Sequence, residues 1–215
     1  MPGAHALKRP ARPAVAAGRP AVAAAHGSGG GQPDGPTVAQ VARLGVWIAL
    51  APIGMLFLAF GSAYVVRRGL GQEWIPVALP LLVWVNTVVL VASSVTLEVG
   101  RRALRRERRD GPWVIGTFLL GVAFLAGQVL AWLQLTAEGI GLATTAYGSF
   151  FYVLTAAHGV HVLLGVGAVG AAAAWPHGGG LRGVPRADAL RVAAIYWHFM
   201  TLVWIGVLLL LVLGR

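Results

Sequence analysis

The run "YGSFFYVLTAAHGVHVLLGVGAVGAAAAW", residues 147–175, carries no charged side chain and is followed by Pro176. An apolar stretch of about 20 residues is long enough to cross the ~30 Å hydrocarbon core as a helix. Within that core a helix satisfies its own backbone polar groups. The run therefore reads as a membrane-spanning helix that proline stops. It also poses a chemical question, because His158 and His161 stand three residues apart on one helical face.

Four further runs of similar character surround it, roughly Val41–Val66, Leu79–Val99, Trp113–Leu135 and Leu190–Leu213. The fold class expected is an all-α membrane protein with five transmembrane helices. Composition agrees: 57% of residues are hydrophobic and 11% charged, against about 25% charged in soluble domains. The chain contains no cysteine, which excludes disulfides and thiolate-held zinc or iron–sulfur centres. Pro112 fits the first turn of a helix, whereas Pro52 lies inside the first run and is expected to kink it. Residues 1–38 form a basic tail rich in Ala, Pro and Gly, with Lys8, Arg9, Arg12 and Arg19. We expect it to be disordered, followed by a five-helix membrane domain over 39–215. No apolar segment follows the tail's basic residues, so a cleaved secretory signal is not expected.

A formal charge of +10 could point to nucleic acid, but the placement of the charges argues against such a partner. The basic residues sit in the tail, in loops and at helix ends. The connection "RRALRRERRD", residues 101–110, holds six arginines. With that loop on the inner side, fourteen basic residues face inward and three outward. The positive-inside bias then predicts a cytoplasmic N-terminus and an external C-terminus.

Proton pumps and ion-coupled transporters use carboxylates inside the membrane. Here Asp34 lies in the tail, and Glu73, Glu107, Asp110, Glu138 and Asp188 fall in loops or helix-flanking turns. Glu98 alone lies in a run, at its inner end, three and four residues before Arg101 and Arg102. An interfacial ion pair accounts for it, with a contact to another subunit as the alternative. The remaining polar residues within runs include Asn86, Gln128, His158, His161, His198 and Trp197. Such groups most often bond between helices. Small residues at 61–63, at Gly165, Gly167 and Gly170, and at 171–174 suit close helix approach.

Three roles are open to the histidines: ligation of haem or metal, proton relay, or packing. His161 and His158 lie about 21 and 25 Å from the inner end of their helix, but His198 only about 12 Å from the inner end of its own. Two ligands of one haem iron need similar depth, so this pairing is disfavoured. An i, i+3 pair alone gives a metal two ligands, and no Cys, Asp or Glu nearby supplies a third. Packing or subunit contact is the reading preferred.

Four stretches, taken in order, resemble subunit III of the haem-copper oxidases. "YGSFFYVLTAAHGVHVLLG" resembles the family segment through Thr155, His158, Gly159, His161 and Val162. "YWHFMTLVWI" is similar to its last helix through Tyr196, Trp197, His198, Phe199 and Trp204. "LPLLVWVNTVVLVASSVTLE" carries Pro80, Asn86, Thr87, Ser93, Ser94 and Thr96 in the family pattern, and "FLAGQVLAW" carries Gly127, Gln128 and Trp132. The likeness covers residues 43–213, equivalent to the last five of the seven helices of larger members. At the place of the family's membrane-embedded Ser-Glu pair this chain has Pro52 and Ile53, and an acid often found shortly after His-Phe is Thr201.

The resemblance implies an accessory subunit of a respiratory terminal oxidase, supporting complex stability and proton uptake without catalysing the reaction. It implies no cofactor in this chain, with haem and copper in the partner subunits and phospholipid as a possible ligand. The implied partners are the catalytic subunit I, subunit II and membrane lipids, in a bacterial cytoplasmic membrane. Subunit-contact candidates are His158, His161, His198, Gln128, Asn86, Glu98 and Trp197. An accessory subunit of a nitric oxide reductase and a haem b electron carrier are the alternative functions.

Overall fold

A computed structural model describes residues 37–71, 74–75, 77–174 and 185–214. The expected tail lies outside them except for Thr37 and Val38, which already begin the first helix. Five helices follow: α1 Val38–Gly69, α2 Leu81–Arg105, α3 Gly111–Ala137, α4 Ala146–Ala174 and α5 Arg186–Leu213. All five are long and apolar enough to span a bilayer. They overlap the five apolar runs but several extend into charged ends, because arginine side chains let a helix continue into the headgroup region.

Local chemistry sets the ends. The Thr37 side chain caps the Gln40 N–H while the Gln40 side chain accepts from the Thr37 N–H, a reciprocal capping box. Pro112 occupies the first turn of α3, as its spacing predicts. Gly139 takes φ +80° just past the end of α3, a conformation glycine adopts without strain. Helix α1 continues through Pro52 without interruption.

Helices α2 to α5 form a closed ring in which α2 packs on α3, α3 on α4, α4 on α5, and α5 back on α2. Outside this ring α1 lies mainly on α5, with a smaller contact to α4. Buried residues on α1 recur every seven positions, at Leu50, Phe57 and Tyr64. Gly54 and Gly61 stand three residues before Phe57 and Tyr64, facing Phe199 and Leu210. This is a narrow seam of coiled-coil period.

Close approach within the ring depends on glycines. A Cβ on Gly127 would overlap the Asn86 carboxamide, and one on Gly121 would lie 2.7 Å from the Trp197 ring. Gly165 faces Trp197 and Gly170 faces Phe118, whereas Gly167 borders open space and supports no close contact.

Both ends of the bundle are tied. At one, Arg186 donates from Nε and Nη2 to Asp110 Oδ2 at 3.0 and 2.9 Å, and from Nη1 to the Ala172 carbonyl at 2.7 Å. Asp110 is wholly buried, so this charged clamp joins the starts of α3 and α5 to the last turn of α4. At the other end the Tyr147 hydroxyl donates to the Leu211 carbonyl, and Trp74 Nε1 donates to the Gly214 carbonyl. Tyr64 packs edge-on against Trp74, Tyr147 and Phe150 there.

Candidate functional site

Three of the seven candidate residues, Glu98, Trp197 and His198, lie along the seam between α2 and α5. Three side chains of α5 bond hydroxyls of α2 in antiparallel register. Trp204 Nε1 donates to Thr87 Oγ1 at 2.9 Å, and Trp197 Nε1 donates to Ser93 Oγ at 3.0 Å. His198 Nδ1 lies 2.7 Å from Ser94 Oγ, which in turn lies 3.3 Å from Thr201 Oγ1. Trp197 and Trp204 are seven apart and their acceptors Ser93 and Thr87 six apart, so successive indole rungs recur after about two turns of each helix. In hydrocarbon no water competes for these donors, and each hydroxyl gives an indole N–H its partner. Thr155 does the same on the opposite wall, accepting from Trp132 Nε1 at 3.0 Å.

Beside this ladder lies His158, with no exposed surface. Its Nε2 is 3.0 Å from the Met200 carbonyl. Phe124, Trp204 and Phe57 surround the ring, with centroids 5.6, 4.9 and 6.3 Å away. His161, one turn on, bonds its own helix through the Ala157 carbonyl at 2.7 Å, while its carbonyl accepts from Tyr196. Both imidazoles touch Phe57 of α1, so the shared face brings them together. His198 is elsewhere, on the α2–α5 seam. Among the described residues no three His, Asp or Glu side chains converge as a ligand set.

Asn86 and Gln128 are both buried, on α2 and α3. Asn86 sits against Gly127, the residue before Gln128. The Asn86 amide nitrogen and both polar atoms of Gln128 find no hydrogen-bond partner among the described residues.

Glu98 pairs with Arg102 at 3.0 Å and with Arg101 at 3.5 Å, the interfacial ion pair that the spacing suggests. Its carboxylate also lies 3.9 Å from His198 Nε2. The His198 side chain is 40% exposed and that of Glu98 28% exposed. Together they place a small polar patch on an otherwise apolar outer wall.

The clamp is not legible in the sequence, because Asp110 and Arg186 look like ordinary loop charges at a separation of 76 residues. Nor does the sequence mark Thr87, Ser93 and Thr155 as the acceptors of indole N–H groups. The available signal was the seven-residue spacing of Trp197 and Trp204 on one apolar run and the hydroxyls Thr87, Ser93 and Ser94, two turns apart, on another.

The family model for cytochrome c oxidase subunit III matches residues 34–213. The chain belongs to that family. It is 32% identical over 195 residues to cytochrome c oxidase subunit 3 of Synechocystis, covering 88% of this chain and 79% of the relative. It is 30% identical over 167 residues to the Thermostichus vulcanus subunit 3, covering 75% and 82%. The quinol oxidase subunit 3 of Bacillus subtilis is 31% identical over 168 residues, covering 75% and 81%. The chain is thus an accessory subunit of a haem-copper oxidase and a multi-pass membrane protein.

Proposed function

We propose that this subunit acts as a non-redox scaffold packed against catalytic subunit I and subunit II, with every haem and copper held by those partners. It would lie in a bacterial cytoplasmic membrane with its N-terminus inside, as the arginine bias favours. The observation that carries the reading is the environment of His158: a buried imidazole bonded to a backbone carbonyl and enclosed by three aromatic rings. A ring held in this way fixes α4 against α5. The exposed His198–Glu98 patch suits a hydrogen bond across a subunit boundary, and proton uptake would be supported indirectly by keeping the catalytic subunit in place.

Replacing His158 with alanine in the complete complex tests this. The yield of assembled oxidase should fall while turnover per assembled complex stays near normal. Normal yield with turnover lost would overturn the scaffold role. A haem absorption band belonging to the isolated chain, or failure to co-purify with a copper-containing oxidase, would overturn the assignment more broadly.

A further inference from the structure

We infer that the four-helix ring binds an internal water, at a site formed by Asn86 of α2, Gln128 of α3 and His158 of α4. All three side chains are buried, with 3%, 2% and 0% of their surface exposed. His158 Nε2 faces the Met200 carbonyl, which can only accept, so in the neutral ring Nε2 holds the proton. Its Nδ1 is then a bare acceptor, and it has no hydrogen-bond partner among the described residues. The same is true of the Asn86 amide nitrogen and of both polar atoms of Gln128. Together these are two amide donors and two acceptors, and a water molecule offers the complement of each.

Contacts between the helices bring the three residues to one level. Asn86 lies against Gly127, the residue before Gln128. Gln128 stands one turn from Phe124, whose ring centroid is 5.6 Å from that of His158. One turn the other way is Trp132, whose indole bonds Thr155, three residues before His158. Asn86 in turn precedes Thr87, the acceptor of Trp204, and the Trp204 ring lies 4.9 Å from that of His158. Neighbouring walls of the ring touch, but α2 does not approach α4, nor α3 α5. Polar side chains buried between opposite walls therefore need a bridging molecule where they do not reach one another. Chemistry selects water for that place. The three side chains include no carboxylate to offset a cation and no guanidinium or ammonium to offset an anion. A buried water with about three hydrogen bonds is the usual partner of otherwise orphaned polar groups. Bound here, it braces α2, α3 and α4, where the indole–hydroxyl ladder joins only α2 to α5.

The test uses the complete oxidase complex, and its readouts are separate from the yield and turnover that test the scaffold role. A cryo-EM map that resolves ordered waters should show a rounded peak at roughly 2.7–3.2 Å from the Gln128 carboxamide and from Asn86 or His158. Gln128→Met keeps an unbranched side chain of similar length but offers no amide, and it should lose the peak. X-ray radiolysis supplies a second readout, because a bound water converted to hydroxyl radical oxidises the side chains beside it. Phe124 and Trp204, with 0% and 1% of their surface exposed, should be oxidised in the wild type. In Gln128→Met their oxidation should fall to the level of Trp197, which is similarly buried but packs between Gly121 and Gly165. Should that variant fail to assemble, the wild-type map and labelling decide alone. A map without a peak, or with the Asn86, Gln128 and His158 side chains bonded directly to one another, would overturn the proposal. So would a peak that persists in Gln128→Met, or wild-type oxidation of Phe124 and Trp204 no greater than that of Trp197. A peak crowded by oxygen ligands at roughly 2.4 Å, as around calcium, would make this a cation site and equally overturn it.

Discussion

The seam joining α2 to α5 and the seam joining α1 to the ring both repeat after about two helical turns, yet they are held by different forces. On the first, indole and imidazole nitrogens of α5 bond hydroxyls of α2, and the rings of Trp197 and Trp204 fill space beside them. On the second, Leu50, Phe57 and Tyr64 alternate with Gly54 and Gly61, and the contacts are ring edges and methyl groups. Lipid tails are as apolar as leucine, so an apolar seam gains little over lipid beyond close packing, whereas a hydrogen bond inside hydrocarbon adds direction. The ring is therefore specified in register, and α1 is attached to it by shape. Two helices of similar length and apolarity thus have different standing in the molecule: α5 is a wall of the bundle and α1 is an outrigger.

Truncating Trp197 to alanine should give the largest loss. It empties the space between Gly121 and Gly165 and removes a buried hydrogen bond. About 3 kcal/mol is expected, the lower end for a buried aromatic because lipid rather than water is the reference medium. Unfolding in mixed detergent micelles would measure it, and a loss under 1 kcal/mol would mean that the ring does not depend on this side chain.

Glycine substitutions sharpen the contrast between the seams. Gly127→Ala drives a methyl group into the Asn86 carboxamide and should cost about 1–3 kcal/mol, read as a lower thermal midpoint. At the outer seam Gly54→Ala meets only the Phe199 ring tip at 3.6 Å, ordinary contact, and should stay within about 0.5 kcal/mol. Comparable losses at both positions would erase the distinction. On the ladder itself the smallest loss belongs to a single rung. Thr87→Val removes the acceptor for Trp204 and should cost about 0.6 kcal/mol, up to about 1.7. A double-mutant cycle with Trp204→Phe should show coupling of that order, and no coupling would remove the hydrogen bond from the account.

The five helices were legible because the apolar runs are long and the arginines and prolines between them are conspicuous. The Glu98 pair was legible too, since its partners sit at i+3 and i+4. What escaped were interactions between residues far apart in sequence. Asp110 precedes a helix start and resembles a solvent-facing cap, and only the folded chain brings Arg186 onto it. Amide positions were equally hard to interpret: Gln128 and Asn86 have the residue type expected for bonds between helices, but whether such a bond forms depends on backbone separations of a few tenths of an ångström. Gly167 is the same residue type as Gly165 and Gly170, but two residues turn it about 160° from Gly165 around the helix, and its face of α4 borders open space.

The Asp110–Arg186 clamp has a consequence for biogenesis. During synthesis the acid leaves the ribosome 76 residues ahead of the arginine, so the helix that Asp110 precedes reaches the bilayer well before its counter-charge exists. The ring is likewise unclosed until the last segment is made, because α2 has no α5 to bond. The nascent chain therefore passes through a four-helix stage in which the Asp110 carboxylate stands without the Arg186 guanidinium that later closes the clamp.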